Sequence, residues 1–153
     1  MNIAGLLNPA TFVNDMMATN KKEALAELVD ALILVEKELN REEVIRVLQE
    51  RELLGSTGIG HGVAIPHGKL KSINRMIISF GRSQAGIDYE SMDDLPANLF
   101  FLLLAPDDSA GEHLKTLARI CKVMRNSEVR QRVMEATRGE DVYQIICDEE
   151  KKL

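Results

Sequence analysis

Apolar residues in the first third of the chain recur with the period of an α-helix. The recurring positions are Leu25, Leu28, Leu32 and Val35. Residues three and four positions apart share one face of a helix, so this run predicts an amphipathic helix with a buried stripe. Asn20 stands just before the run and Glu23 follows three positions later, which is the pattern of a capping box at a helix start.

A second helix of the same design follows the first. Asn40 and Glu43 repeat the capping pattern, and Gly55 is a residue at which helices commonly end because it has no β-carbon. Between these signals lie the apolar positions Val44, Val47 and Leu48. The pattern therefore predicts two consecutive helices before the glycine-rich middle of the chain.

The middle of the chain changes to short apolar runs that are typical of β-strands. Strands are predicted at residues 63–65, 76–80 and 98–105, with a further strand near residues 11–16. The residues from Leu99 to Leu104 are all apolar, so both faces of this strand are expected to lie beneath helices. Pro106 is expected to end it, because proline lacks the N–H that a sheet ladder needs.

The last third of the chain returns to helical spacing. Residues 107–109 offer caps for a third helix, Ser127 is expected to cap a fourth that ends at Gly139, and residues 141–147 form a fifth. The inward positions predicted for the third helix are Leu114, Leu117, Ala118, Cys121 and Met124. Two helices, three strands and three helices predict an α/β fold, an α/β sandwich with a mixed central sheet and helices on both faces.

Composition favours a single globular domain spanning residues 1–153. Hydrophobic residues make up 45% of the 153-residue chain, which is enough for a substantial core. The longest apolar stretch, residues 99–105, is too short to cross a bilayer, and residues 1–7 lack the features of a signal peptide. We therefore expect a cytoplasmic protein without membrane insertion, in which Cys121 and Cys147 are reduced, buried thiols.

The net charge of −5 argues against a nucleic-acid partner. The charge is unevenly distributed, since residues 83–108 hold six acidic residues and no Lys or Arg. Residues 111–138 hold seven basic and three acidic residues. Two interpretations are open for this basic stretch: solvated helix faces, or a docking surface for an acidic partner.

The strongest chemical signal is the segment 56–69, in which glycines and a proline surround His67. Pro66 favours an extended conformation at Ile65, and Gly68 leaves space beside the imidazole. The backbone N–H groups of such a segment can bind an anion. Imidazole is largely unprotonated near neutral pH. A ring nitrogen that acts as a nucleophile must be bare, so the other nitrogen is expected to donate its N–H to a fixed acceptor.

This segment resembles the active-site signature of the type 2 enzyme IIA domains of the bacterial phosphoenolpyruvate-dependent phosphotransferase system. Within the fructose, mannitol and nitrogen-regulatory group it is most similar to the nitrogen-regulatory branch. The similarity spans roughly Leu6 to Asp148 and is also carried by Arg51-Glu52, Ser56-Thr57-Gly58-Ile59-Gly60, Ala105-Pro106, Glu112-His113-Leu114, Leu117-Ala118 and Tyr143-Gln144-Ile145-Ile146. One departure is His61, since the family usually has Asn between these two glycines.

The resemblance implies roles for three side chains. His67 would carry a phosphoryl group on Nε2. His113 would hydrogen-bond the phosphoryl oxygens or orient His67, the alternative being a helix-start histidine that packs over Leu117. Arg51 would neutralise the charge of the transferring group, the alternative being a cation that stabilises the C-terminus of its helix.

The remaining candidates lie in the glycine-rich segment itself. Ser56, Thr57 and Gly68 are candidate phosphoryl-binding residues, the alternative for the two hydroxyls being that they form the loop. His61 together with the other two histidines could form a metal site, which would compete with phosphorylation for the ring nitrogens. We expect neither a metal nor a cofactor.

The resemblance implies that the chain is a phosphotransferase component with a phosphohistidine intermediate. The expected donor is a histidine-containing phosphocarrier protein, and the expected role is regulatory, of the nitrogen type. The alternative is the IIA component of a fructose- or mannitol-type uptake system, which would pass the phosphoryl group to a IIB partner. The expected partners are therefore the donor and either a IIB component or a regulatory target protein.

Overall fold

Five α-helices and five β-strands make up residues 2–153, the part of the chain described by a computed structural model. The helices are α1 (Lys21–Ile33), α2 (Arg41–Leu53), α3 (Ala110–Met124), α4 (Ser127–Glu135) and α5 (Gly139–Glu150). The strands are β1 (Gly58–Gly60), β2 (Val63–Ala64), β3 (His67–Leu70), β4 (Ile77–Ile87) and β5 (Ala97–Pro106). Within these residues, no helix is both long and apolar enough to span a membrane.

Strand β5 is the centre of a mixed sheet. On one side it pairs in parallel with β2 and then with β3, so that Val63 lies opposite Leu99 and His67 opposite Leu103. On its other side β5 pairs antiparallel with β4, and β1 forms an antiparallel hairpin with β2 at the edge. The two short strands β2 and β3 thus lie one after the other along the same edge of β5. The break between them falls immediately before His67.

The side chains of β5 alternate between two hydrophobic cores, one on each face of the sheet. Phe101 and Leu103 pack with residues of α3, α4 and α5, whereas Phe100 and Leu102 pack with residues of α1 and α2. All four side chains are fully buried, and burial of a side chain of this size contributes about 1.5–3 kcal/mol. The predicted α/β sandwich, with helices on both faces of a mixed sheet, is confirmed.

The predicted helix starts of α1 and α2 are confirmed by their capping contacts. The side chain of Asn20 accepts from the backbone N–H of Glu23 at 2.9 Å, and Asn40 accepts in the same way from Glu43. These contacts satisfy N–H groups that have no partner inside the helix. The carboxylate of Glu23 accepts from the backbone N–H of Thr19 rather than from that of Asn20.

The inward face of α3 agrees only in part with the prediction. Met124 is buried, and Leu117 and Cys121 are half-buried against the core. Leu114 is 68% exposed and Ala118 is also exposed. The buried positions are His113, Thr116, Ile120, Val123 and Met124. The prediction counted apolar residues alone, whereas the fold buries the imidazole of His113 and leaves Leu114 at the rim of a cleft.

The last two helices also differ from their predicted limits. Asn126 rather than Ser127 caps α4, because its side chain accepts from the backbone N–H of Glu128 at 2.9 Å. Helix α4 ends at Glu135, where the chain becomes extended, and Gly139 begins α5 instead of ending α4.

The prediction missed β1 and β3 and made β4 too short. The glycine-rich segment contains β1, which has no apolar alternation to reveal it, and β4 continues well beyond residue 80. The strand predicted near residues 11–16 is wrong: Pro9–Thr11 forms a 3-10 helix, and Val13 makes an isolated parallel bridge to Gly81. Pro106 is the last residue of β5, as expected for a residue that ends a strand.

Candidate active site

His67 lies at the break in the sheet with one side of its ring held by the backbone. Pro66 interrupts the strand, and pairing with β5 resumes at His67. His67 Nδ1 lies 2.7 Å from the carbonyl oxygen of Ile65. A carbonyl oxygen only accepts hydrogen bonds, so in the neutral ring Nδ1 carries the proton and Nε2 has a bare lone pair. The backbone thus selects the tautomer that a nucleophilic Nε2 requires.

His113 lies in the first turn of α3 and faces His67. The two ring centroids are 5.3 Å apart and the ring planes are inclined at 82°. His113 is 6% exposed, yet its Nε2 has no hydrogen-bond partner among residues 2–153. A buried polar atom without a partner is costly, so this nitrogen is poised to bind a group that enters beside His67.

Both histidines are held in their neutral forms near pH 7. Burial lowers the pKa of His67 below the usual 6.5, and the nearby Arg51 lowers it further, against the opposing effects of the Ile65 carbonyl and the Glu52 carboxylate. Burial also lowers the pKa of His113 to about 4, with His67 and Lys69 acting in the same direction. A neutral His67 keeps the lone pair that nucleophilic attack needs.

The two imidazoles open onto a cleft of about 570 Å³ between α2, β3 and the start of α3. Arg51 and Lys69 bring positive charge to its walls, and Glu50 brings one carboxylate. Its apolar side chains include Val47, Leu54, Leu114 and Leu117. Because the start of a helix favours negative charge, the cleft can hold an anion within an apolar rim.

Arg51 lies in the last turn of α2 and reaches the edge of the cleft. Its Nη1 donates to the carbonyl oxygen of Gly55 at 3.0 Å, which fixes the guanidinium beside the end of its own helix. Arg51 makes no ion pair within residues 2–153. Its charge acts on His67, since it lowers the pKa of that ring.

Gly68 allows α2 to pack against β3. A β-carbon at Gly68 would lie 2.5 Å from Cγ1 of Val47, which is well inside normal van der Waals contact. The absence of a side chain at Gly68 therefore sets the distance between α2 and β3, and with it the position of Arg51 relative to His67.

The hydroxyls of Ser56 and Thr57 bind other parts of the protein and do not line the cleft. Ser56 Oγ donates to the carbonyl oxygen of Tyr89 at 2.8 Å and accepts from the N–H of Gly58 at 3.1 Å. Thr57 is 4% exposed, and its hydroxyl donates to the carboxylate of Glu52. This geometry favours the loop-forming alternative for both residues.

His61 lies at the turn between β1 and β2, outside the cleft. It is exposed, has φ = 57°, and its backbone N–H donates to Asp93 at 3.1 Å. Asn, Asp and His adopt this left-handed conformation more readily than other non-glycine residues, which accounts for a histidine at this position. Among residues 2–153, no three potential ligands are grouped as a metal site would require.

The sequence interpretation overlooked Glu52, which is among the most buried charged groups beside the site. Its side chain is 6% exposed and forms an ion pair with Lys21 at 3.1 Å. It also contacts Thr57 and the hydroxyl of Tyr89. The pair Arg51-Glu52 was part of the resemblance, but nothing in the local pattern indicates that Glu52 points away from solvent.

The α/β domain holds a backbone-oriented histidine in a cleft that favours an anion, an arrangement that suits transfer of a phosphoryl group. Residues 6–149 match the family described as phosphoenolpyruvate-dependent sugar phosphotransferase system, EIIA 2. The chain belongs to this family, and its class is that of phosphoryl carriers of the phosphotransferase system.

Relatives and a solved structure agree with this assignment. The nitrogen regulatory protein of Bradyrhizobium diazoefficiens is 37% identical over 147 residues, which are 96% of this chain and 95% of that protein. The fructose-specific EIIABC component of Bacillus subtilis is 34% identical over 99% of this chain but only 24% of that protein. The crystal structure of the nitrogen regulatory protein IIA-Ntr from Neisseria meningitidis superposes with a TM-score of 0.88 at 33% identity, covering 94% of this chain and 98% of that one.

Proposed function

We propose that Nε2 of His67 accepts a phosphoryl group from the phosphohistidine of a histidine-containing phosphocarrier protein. The observation that carries this assignment is the hydrogen bond from His67 Nδ1 to the carbonyl oxygen of Ile65, which leaves Nε2 bare. The lone pair of Nε2 attacks phosphorus, a new P–N bond forms, and the P–N bond of the donor breaks. The donor ring, protonated on its other nitrogen, leaves as neutral imidazole, while His67 keeps its proton on Nδ1.

Arg51 and His113 stabilise the transferring group in this proposal. The guanidinium of Arg51 offsets negative charge at the edge of the cleft. His113, with a proton on its unpartnered Nε2, donates to a phosphoryl oxygen. Transfer of a phosphoryl group depends mainly on such positioning and electrostatic stabilisation.

The direct test is phosphorylation with phosphoenolpyruvate, enzyme I and the phosphocarrier donor. The protein should gain one acid-labile phosphoryl group, detected by mass spectrometry and by ³¹P NMR, and His67→Ala should gain none. His61→Ala is the matched control, because His61 is exposed and lies outside the cleft. Phosphorylation of His67→Ala at the wild-type rate would refute the assignment.

We further propose a regulatory role of the nitrogen type for this carrier. Support comes from the relative named a nitrogen regulatory protein, which matches along nearly the whole length of both chains. The alternative role, a IIA component that passes its phosphoryl group to a IIB partner in sugar uptake, is favoured by the similarity to a fructose-specific protein.

Partner selection distinguishes the two roles. A regulatory carrier should bind a target protein more tightly in one phosphorylation state than in the other. Affinity capture measures this by comparing phosphorylated wild-type protein with His67→Ala, which stays unphosphorylated. An uptake component should instead transfer ³²P rapidly to a fructose- or mannitol-type IIB domain. Rapid transfer without any state-dependent partner would favour the uptake role.

A further inference from the structure

We propose that Glu52 is a positioning residue that orients the His67 imidazole through the glycine-rich segment between them. This inference rests on the proposed phosphorylation of His67. Glu52 does not line the cleft, so it does not contact the phosphoryl group itself. Its negative charge raises the pKa of His67 against the larger effect of burial, and its effect on the orientation of the ring passes through other residues.

The carboxylate of Glu52 binds the beginning of the glycine-rich segment. Its Oε1 accepts from the backbone N–H of Thr57 at 3.1 Å, and its Oε2 accepts from the Thr57 hydroxyl. Glu52 belongs to the last turn of α2, one residue after Arg51. The same helix end therefore supplies a cation to the cleft and fixes the segment that leads to His67.

A continuous set of backbone contacts leads from Thr57 to the imidazole. The carbonyl oxygen of Thr57 accepts from the N–H of Ile65 at 2.9 Å. The carbonyl oxygen of Ile65, on the same residue, is 2.7 Å from Nδ1 of His67. Displacement of Thr57 would shift Ile65, and the acceptor that selects the Nδ1–H tautomer would move with it.

Two further donors complete the surroundings of the carboxylate. Lys21 Nζ lies 3.1 Å from Oε1 and 5.0 Å from the centre of the Tyr89 ring. The Tyr89 hydroxyl donates to Oε2 at 3.1 Å. Burial and the carboxylate of Glu52 raise the pKa of Tyr89 well above its usual value, so it remains a phenol. Four donors thus face a carboxylate that can accept about four hydrogen bonds, which fixes its orientation.

The experiment compares Glu52→Gln with a matched control, Glu150→Gln. Glu150 is also a buried carboxylate, 5% exposed, that accepts from the backbone N–H groups of Ile3 and Ala4 and pairs with Arg119. It lies away from the cleft. Both variants remove a buried negative charge and should lower the unfolding temperature, so stability alone does not distinguish them.

The distinguishing measurement is the ¹⁵N spectrum of the His67 ring in unphosphorylated protein, recorded at a pH well above the ordinary histidine pKa so that the ring is neutral in every variant. Wild type and Glu150→Gln should show the Nδ1–H tautomer. Glu52→Gln should show resonances shifted toward a mixture of tautomers. It should also have kcat for phosphoryl acceptance reduced by roughly tenfold, with KM for the donor unchanged. Wild-type resonances and kcat in a folded Glu52→Gln protein would overturn the proposal.

Tyr89→Phe provides a milder perturbation if Glu52→Gln does not fold. It removes one donor to Glu52 and retains the ring that packs on Phe100. The same change in the His67 resonances, smaller in size, is expected, and unchanged resonances would overturn the proposal. The spectra are recorded without phosphorylation, so they test the positioning role independently of the proposed function. Failure of wild-type His67 to accept a phosphoryl group would refute the proposed function and not the positioning role.

Discussion

The imidazoles of His67 and His113 meet edge to face, with their centroids 5.3 Å apart. The two rings come from opposite sides of the site, one from the start of β3 and the other from the start of α3. One ring has its Nδ1 bound to the backbone, and the other has a buried Nε2 without a partner among residues 2–153. In the proposed reaction the first ring, His67, is therefore the nucleophile, and the second, His113, stabilises the charge of the phosphoryl group.

His113→Ala should leave His67 able to accept a phosphoryl group, but more slowly. The variant removes the proposed donor to a phosphoryl oxygen and retains the nucleophile, so we expect the rate to fall by roughly a hundredfold. The measurement is the rate of phosphorylation and of return to the donor, with His61→Ala as the control. Wild-type rates in both directions would exclude His113 from the site.

Arg51→Gln should slow phosphorylation and raise the pKa of His67. The guanidinium contributes to the lowered pKa of His67, although burial is the larger cause. Its loss should reduce the rate by roughly a hundredfold, while Arg51→Lys keeps the charge and should lose less. The pKa is measured from the ring resonances of His67 against pH. A His67 pKa that is the same in Arg51→Gln and wild type would show that Arg51 does not act on His67.

The lowered pKa of His113 makes the stability of the fold depend on pH. The pKa is about 4 in the folded protein, against the usual 6.5. Between these values the unfolded chain binds a proton that the folded protein excludes, so this contribution is full above pH 6.5 and is lost as the pH falls toward 4. The shift corresponds to a free energy on the order of 3 kcal/mol.

Urea unfolding at pH 7 and pH 4.5 measures this contribution. Wild type should lose more stability between the two pH values than His113→Phe, which has no imidazole to protonate at this position. Titrating groups remote from His113 are common to both proteins and cancel in the comparison. His67 is in contact with His113, so the pair of proteins is also compared in a His67→Ala background. Equal losses in the two proteins would show that His113 is not the source.

Gly68→Ala should destabilise the fold and slow phosphorylation together. The added β-carbon would lie 2.5 Å from Val47, and overpacking of this kind costs about 1–3 kcal/mol. Helix α2 must move away, taking Arg51 with it. Val47→Ala combined with Gly68→Ala should restore part of both properties, because it removes the methyl group that the new atom meets. A double variant no better than Gly68→Ala would contradict this account.

The sequence predicted the fold well wherever a pattern had a single physical cause. The apolar run from Leu99 to Leu104 required burial on both sides, and β5 is the central strand. Asn20 and Asn40 cap helices as expected, since their side chains satisfy local N–H groups. Strand β1 was missed because its glycines carry no alternating pattern, and its pairing depends on a neighbour in the folded sheet.

The site was harder to predict because its residues depart from ordinary burial rules. His113 is polar but buried, and Leu114 is apolar but exposed, so counting apolar residues placed Leu114 on the inward face of α3 and left His113 out of it. Ser56 contacts Tyr89, which is more than 30 positions away in the chain. Thr57 contacts Glu52 across the end of α2. Such contacts have no signature in the local sequence.

The donor is expected to contact the apolar rim of the cleft. Leu54 and Leu114 are 84% and 68% exposed and flank the cleft. The donor must bring its phosphohistidine to His67, so these side chains should be covered in the encounter. Leu54→Asp and Leu114→Asp should raise KM for the donor and leave the unfolding temperature nearly unchanged, because both side chains are exposed. Leu34→Asp is the control, since Leu34 is 74% exposed at the end of α1 and does not line the cleft.

The same surface should make donor binding and target binding mutually exclusive. Phosphorylation adds a charge of about −1.5 to −2, and a target that packs on the apolar rim must then desolvate that charge. A target that docks on this rim in the unphosphorylated protein should therefore bind more weakly after phosphorylation. It should also compete with the donor for the same surface. An NMR titration with the donor tests the location of this docking surface. Chemical-shift changes confined to the face opposite His67 and His113 would show that the donor binds elsewhere.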